Sequence, residues 1–138
     1  MNAEKEIHTA LATRLQAMQT GGSPPVAWEN QPYTPVTDTL YLTESFMPNL
    51  KEQVGMEDAS SDDYEGVYQV TVMAPAGGLR FAGQERARLV AAHFPRGAMY
   101  TSGGVTARIS KAQVNPGYID GELDRYVVPV SIYWRTLA

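Results

Sequence analysis

The sequence contains no cysteine. That excludes disulfides, thiolate catalysis and cysteine-ligated zinc, and it suits a reducing compartment. No apolar run approaches the ~20 residues that a membrane-spanning helix needs, and the first residues, MNAEKEIHTALATRL, lack the apolar centre of a signal peptide. Basic residues never cluster: 11 Lys and Arg are scattered among 15 Asp and Glu, for a net charge of −4 and a pI near 5.1. A nucleic-acid reader carries a basic patch, so base readout is not expected. The reading is a soluble chain, cytosolic at synthesis, with no membrane partner. Catalytic signatures are missing too. There is no GxSxG elbow, no GxGxxG, no GxxxxGK[ST] and no HExxH. His8 and His93 fall on separate predicted helices without a carboxylate triad, which reads as two helix-surface residues. No catalytic residue, cofactor or metal site is expected, and the protein is read as a non-enzyme.

What is present is a single domain over residues 1–138, with 43% hydrophobic and 19% charged residues, long enough to bury a core without staples. Its centre is the stretch Tyr64–Gly78, YEGVYQVTVMAPAGG. Gly66, Tyr68, Val70 and Val72 alternate with Glu65, Val67, Gln69, Thr71 and Met73. Period two is a strand's period, and it turns Tyr68, Val70 and Val72 toward the core. Pro75 stops the strand and Gly77-Gly78 turn the chain into a helix of about Phe81 to Phe94, with Ala87, Val90, Ala91 and Phe94 on one face. Residues 3–19 form another amphipathic helix through Ile7, Leu11, Leu15 and Met18, stopped by Gly21-Gly22.

The remaining strands are weaker signals. Val26–Gln31 is a short candidate. Thr39–Phe46 places Leu40, Leu42 and Phe46 on one side, interrupted by Glu44, and Pro48 ends it. Val105, Ala107 and Ile109 alternate as a strand, Val114–Ile119 is a poorer one, and Ser102-Gly103-Gly104 is a loop. Arg125–Trp134 is apolar on both faces, with Tyr126, Val128, Val130, Ile132 and Trp134 opposite Val127, Pro129, Ser131 and Tyr133. Proline inside a strand points to an edge, and an apolar edge needs a cover. A neighbouring subunit supplies it, or else the loop Pro32–Asp38 or the N-terminal helix does. The expected fold is α+β, a mostly antiparallel sheet with two helices packed on one face.

Asn49–Asp63 reads as a long mobile loop. It carries Glu52, Glu57, Asp58, Asp62 and Asp63 with little apolar surface to bury. Such acids attract hard cations, but they do not follow EF-hand spacing, and a solvated loop is the plainer reading.

Several blocks then resemble a known family. These are Trp28 with Pro32-Tyr33-x-Pro35; Tyr41-Leu42-x-x-x-Phe46-x-Pro48; Tyr64-x-Gly66-x-Tyr68-Gln69-Val70-x-Val72 with Pro75-x-Gly77; and Pro129-Val130-Ser131-Ile132-Tyr133-Trp134. In that order and at this length the chain resembles the phage tail terminator-like family of long-tailed bacteriophages, similar to the tail terminator of phage lambda. The resemblance implies a virion structural protein, present in the host cytoplasm during assembly. It implies a homo-oligomer, a hexameric ring, that caps the tail tube, stops tube polymerisation and offers a head–tail joining surface. Its partners would be the tail tube protein and a head-completion (neck) protein. On that basis Val127, Pro129, Val130, Ile132 and Trp134 are the expected subunit interface, and Glu57, Asp58, Asp62 and Asp63 the expected partner-binding loop. The competing readings are another neck component, the tube protein itself, or a small ligand-binding domain or enzyme with a deep polar pocket.

Overall fold

The computed structural model describes residues 3–20, 24–35, 39–50, 64–76, 80–122 and 125–136. Among them are two helices, α1 (Ala3–Gln16) and α2 (Arg80–His93). The strands are β1 (Val26–Ala27), β2 (Tyr41–Leu50), β3 (Tyr64–Pro75), β4 (Met99–Ser102), β5 (Val105–Val114), β6 (Tyr118–Asp120) and β7 (Arg125–Thr136). They make one mixed sheet in the order β1-β2-β3-β7-β5-β4, with β6 also paired to β7. β1 runs parallel to β2, and the other pairings are antiparallel. The fold is α+β.

The period-two reading of β3 fixes the core. Tyr68, Val70 and Val72 are fully buried. Across the ladders they stand beside Phe46, Glu44 and Leu42 of β2 and Ile132, Val130 and Val128 of β7. Ile7, Leu11 and Leu15 of α1 and Ala87, Val90 and Phe94 of α2 close over the same cluster. The two helix ends are stitched reciprocally: Arg14 Nε donates to the His93 carbonyl at 2.9 Å, and the His93 ring nitrogen Nε2 lies 2.6 Å from the Arg14 carbonyl.

Gly66 is required by packing. A Cβ there would lie 2.4 Å from the Met47 carbonyl oxygen, 2.8 Å from the Trp134 ring and 2.9 Å from the Pro48 Cα. The bare backbone makes room for the indole of Trp134, the largest of the fully buried side chains.

Several sequence expectations are corrected. Arg125–Trp134 is no edge: β7 is central, flanked by β3 on one side and by β5 and β6 on the other. Pro129 is tolerated because of where its missing donor points. Its carbonyl accepts from the Asn115 backbone N–H at 2.9 Å, so its nitrogen faces the same side, in the break between the end of β5 and the start of β6. Backbone N–H and C=O of one residue point the same way across an antiparallel ladder. Pro48 does not end β2 either. Even-numbered residues of that strand aim their N–H groups outward: Leu42 N–H donates to the Pro25 carbonyl and Phe46 N–H to Glu29 Oε2. The nitrogen that Pro48 cannot use therefore faces away from β3, and the strand runs on through Asn49 and Leu50, two residues expected to begin a loop.

At the other end, β4 was not anticipated. The Gly103-Gly104 pair is a two-residue hairpin loop, with φ of 56° and 82° and Ser102 facing Val105. Two consecutive left-handed residues are what a type I′ turn needs, and glycine takes that conformation without strain. The Val114–Ile119 expectation splits into the end of β5 and the separate β6, and Val26–Gln31 shrinks to β1.

Candidate functional site

The described residues hold one dense polar constellation, between α1 and the sheet. Glu44 interrupts the apolar face of β2, and its side chain is only 4% exposed. A carboxylate buried that far needs every lone pair engaged. His8 Nε2, from α1, lies 3.2 Å from Glu44 Oε1, and the Glu29 backbone N–H donates to the same oxygen at 3.1 Å. The Tyr68 hydroxyl donates to the other oxygen, Oε2. Glu29 Oε2 stands 3.9 Å from the imidazole as a second, weaker counter-charge.

The electrostatics follow. The hydrogen bond to Glu44 raises the His8 pKa above its ordinary value, and burial only partly opposes it. Burial by itself would raise the Glu44 pKa. The hydrogen bonds from His8, Tyr68 and the Glu29 N–H outweigh burial and bring it below the ordinary carboxylate value. Burial drives the Tyr68 phenol far up, so it stays protonated and donating. Below the raised pKa of His8, His8 and Glu44 thus form an ion pair, roofed by aromatics. The imidazole stacks on Phe46 (4.7 Å, 6° between planes), and Phe46 stacks on Trp134 (5.4 Å, 7°).

With Glu44 and Tyr68 sealed from solvent, the cluster has no room for a substrate; its chemistry is to fasten α1 to β2 and β3. His8 is therefore half-buried and paired, and His93 is half-buried against α1 with burial lowering its pKa; neither is the helix-surface residue expected. The signal was available in the sequence: one carboxylate inside an apolar stripe asks for a buried partner. No group of three or more His, Cys, Asp or Glu that could hold a metal occurs among the described residues.

The expected interface residues are dispersed. Val130, Ile132 and Trp134 lie in the core under the helices. Val127 points to the other side of the sheet, in a second cluster with Tyr41 and Met73, and Pro129 is half-buried. Glu57, Asp58, Asp62 and Asp63 lie outside the described residues.

Two surface depressions can be delineated among the described residues. One, of about 690 Å³, is lined by Met47, Pro48, Gly66, Lys111 and Tyr133, where Lys111 Nζ sits 4.7 Å over the Tyr133 ring. The other, of about 540 Å³, runs between α1 and β4 along Ala10, Arg14, Ala17, Met99 and Tyr100. Exposed apolar side chains gather elsewhere, at Phe81 and Leu89 of α2, Val114 of β5 and Tyr118 and Ile119 of β6.

Residues 6–134 match the sequence model of the phage tail terminator protein family. One solved structure superposes with a TM-score of 0.79 at 26% identity, over 96% of this chain and 94% of that one. A chain from the virion of a native gene transfer agent particle superposes with a TM-score of 0.59 at 14% identity, over 98% of this chain and 96% of that one, a likeness of fold alone. No curated protein matches in sequence.

Proposed function

We propose, starting from the premise that this chain belongs to the phage tail terminator protein family and is a bacteriophage virion structural protein, that it acts as a ring of identical subunits. The ring sits on the end of the finished tail tube, stops further tube subunits from adding, and presents its far side to a head-completion protein. The family match over nearly the whole chain carries this reading. The physical requirement is a head-to-tail contact whose rotation closes; an unclosed one makes a filament. A hexamer is the expected closure. In this reading both helices cover one side of the sheet, since α1 and α2 share a single core cluster. Glu57, Asp58, Asp62 and Asp63 form the partner-selecting segment, because charge complementary to the partner's sets encounter and specificity more than raw affinity.

Negative-stain microscopy of the purified protein tests the ring. Discrete annuli of uniform size are expected, with native mass giving six copies. Long cylinders would identify a tube subunit instead, and a monomer in solution and on isolated tails would end the proposal. Reversing the charge of Asp62 and Asp63 together is expected to reduce head–tail joining without changing the thermal melt. Normal yields of joined particles would remove these acids from the mechanism.

A further inference from the structure

β4 stands last in the strand order and, among the described strands, pairs with β5 alone. The Ile109 N–H donates to the Ala98 carbonyl at 2.9 Å, and Ser102 faces Val105 across the two-residue hairpin loop. Even-numbered residues of this stretch therefore spend their backbone groups on β5. The N–H and C=O groups of Met99 and Thr101 point the other way. Among the described residues no backbone group meets them. No proline or charge within the strand guards this margin, whose residues are Met, Tyr, Thr and Ser.

A groove runs beside it. The depression of about 540 Å³ has Met99 to Ser102 along one wall and Ala10, Thr13, Arg14 and Ala17 of α1 along the other. These α1 residues make one stripe of the helix, and all but Arg14 are small. A strand added to β4 would lie ~4.8 Å from it. Every second side chain of that strand would enter the groove beside Tyr100. The alternate ones would join Met99 and Thr101 on the other side of the sheet.

A base stands on each side of the margin. Arg14 lies 5.3 Å over the Tyr100 ring, with only its Nε spent on the His93 carbonyl. On the other side Met99, 59% exposed, faces Arg108, and Arg108 faces Arg135. Like charges directly opposite on neighbouring strands cost stability. Glu65 faces Arg135 from β3, which leaves Arg108, the nearer to β4, with no described counter-charge. Neither Arg14 nor Arg108 belongs to a described ion pair. Glu6 takes the Ser102 hydroxyl at the hairpin end, so the basic character lies at the Met99–Tyr100 end.

We infer that the outer margin of β4 receives an extended, acid-bearing segment of a different protein of the particle, added as one more strand. Its carboxylates pass Met99 and Tyr100, within reach of Arg108 and Arg14, and small side chains fill the rest of the groove. Backbone hydrogen bonds supply the affinity, and the arginines select an acidic sequence. A second copy of β4 could satisfy the same donors, but it would bring basic margin to basic margin. The inference takes from the proposed function only that the chain is one component of a particle, and it applies to a single copy whether or not a ring closes.

Hydrogen exchange on fragments covering Met99–Ser102 tests it, in the purified full-length chain and in isolated virions. In the free chain the Met99 and Thr101 amides exchange fast, while β5 holds those of Tyr100 and Ser102. In virions the two fast amides are expected to slow. Thr101→Pro removes one outward donor and leaves the β5 ladder intact, as proline on an edge strand allows. Arg108→Glu reverses an exposed base. Supplied to phage lacking this chain, each is expected to lower the yield of infectious particles about tenfold, the effect of one lost ladder or charge-assisted contact. Arg108→Lys should restore most of it. Thermal melts near wild type check folding; if Thr101→Pro does not fold, Arg108→Glu and the exchange carry the test.

Unslowed exchange in virions overturns the inference. Normal yields from Thr101→Pro overturn the strand pairing, and normal yields from Arg108→Glu overturn the acidic chemistry of the segment. Slowing in the purified chain alone makes a second copy the occupant and also overturns it. Native mass keeps the readings apart: a monomer in solution and on isolated tails removes the ring, while slowed amides in virions still leave β4 occupied.

Discussion

Trp134→Ala is expected to lower unfolding stability by about 3–5 kcal/mol, the range for deleting a buried aromatic and leaving its cavity. The indole is 1% exposed, stacks on Phe46, and fills the space that Gly66 leaves open. Urea unfolding should show the midpoint falling with the slope unchanged. Trp134→Phe should cost much less. It keeps a ring against Phe46 and removes an indole N–H that finds no partner among the described residues. Gly66→Ala sharpens the test. Alone it should cost about 1–3 kcal/mol by overpacking. Combined with Trp134→Ala it should cost less, because one of its three close contacts is gone. The relief is partial, since the Met47 carbonyl and the Pro48 Cα are backbone and stay in place. Strict additivity in that double-mutant cycle would show that the two residues do not share the space.

Glu44→Ala is the second large effect, about 3 kcal/mol, because removing one member of a buried pair strands the others. His8, the Tyr68 hydroxyl and the Glu29 N–H all lose their acceptor. The same cluster sets a pH profile. His8 has a raised folded pKa, so its contribution is complete below its ordinary value of 6.5 and is lost as pH climbs through the raised one. Glu44 has a lowered folded pKa, so its contribution is complete above 4.5 and is lost as pH falls through the lowered one. The pair stabilises most between pH 4.5 and 6.5. Melting temperatures across pH should decline on the alkaline side in wild type. In Glu44→Ala that decline should vanish; its persistence would assign the alkaline loss to another group.

Period-two patterning was enough to read β3 and β5, and helical spacing the buried faces of both helices, because a strand or helix with one apolar side declares that side in its own residues. The prolines were harder. A proline demands only that one backbone donor be unneeded, and whether an N–H is needed depends on where a neighbouring strand stops. Pro129 sits in a central strand because β5 and β6 part opposite it, and Pro48 because no described strand pairs on its outer side. Neither fact exists in a local window of sequence. β4 is four residues long with alternating half-exposure, too little periodicity to register, although Gly103-Gly104 announced its turn. The interface assignment followed the mistaken edge. Once β7 is central, Val130, Ile132 and Trp134 serve the core, and the exposed apolar residues that could serve an interface come from α2, β5 and β6 instead.

The outward margin of β2 has a consequence for growth. Of its outward-facing donors, one is taken by the Pro25 carbonyl, one by the Glu29 carboxylate, and Pro48 has none to offer. An incoming extended segment would find little to zip onto. Fibre formation by endless hydrogen-bonded extension is thereby discouraged, and copies must meet through their side chains, where geometry rather than backbone decides how many can join.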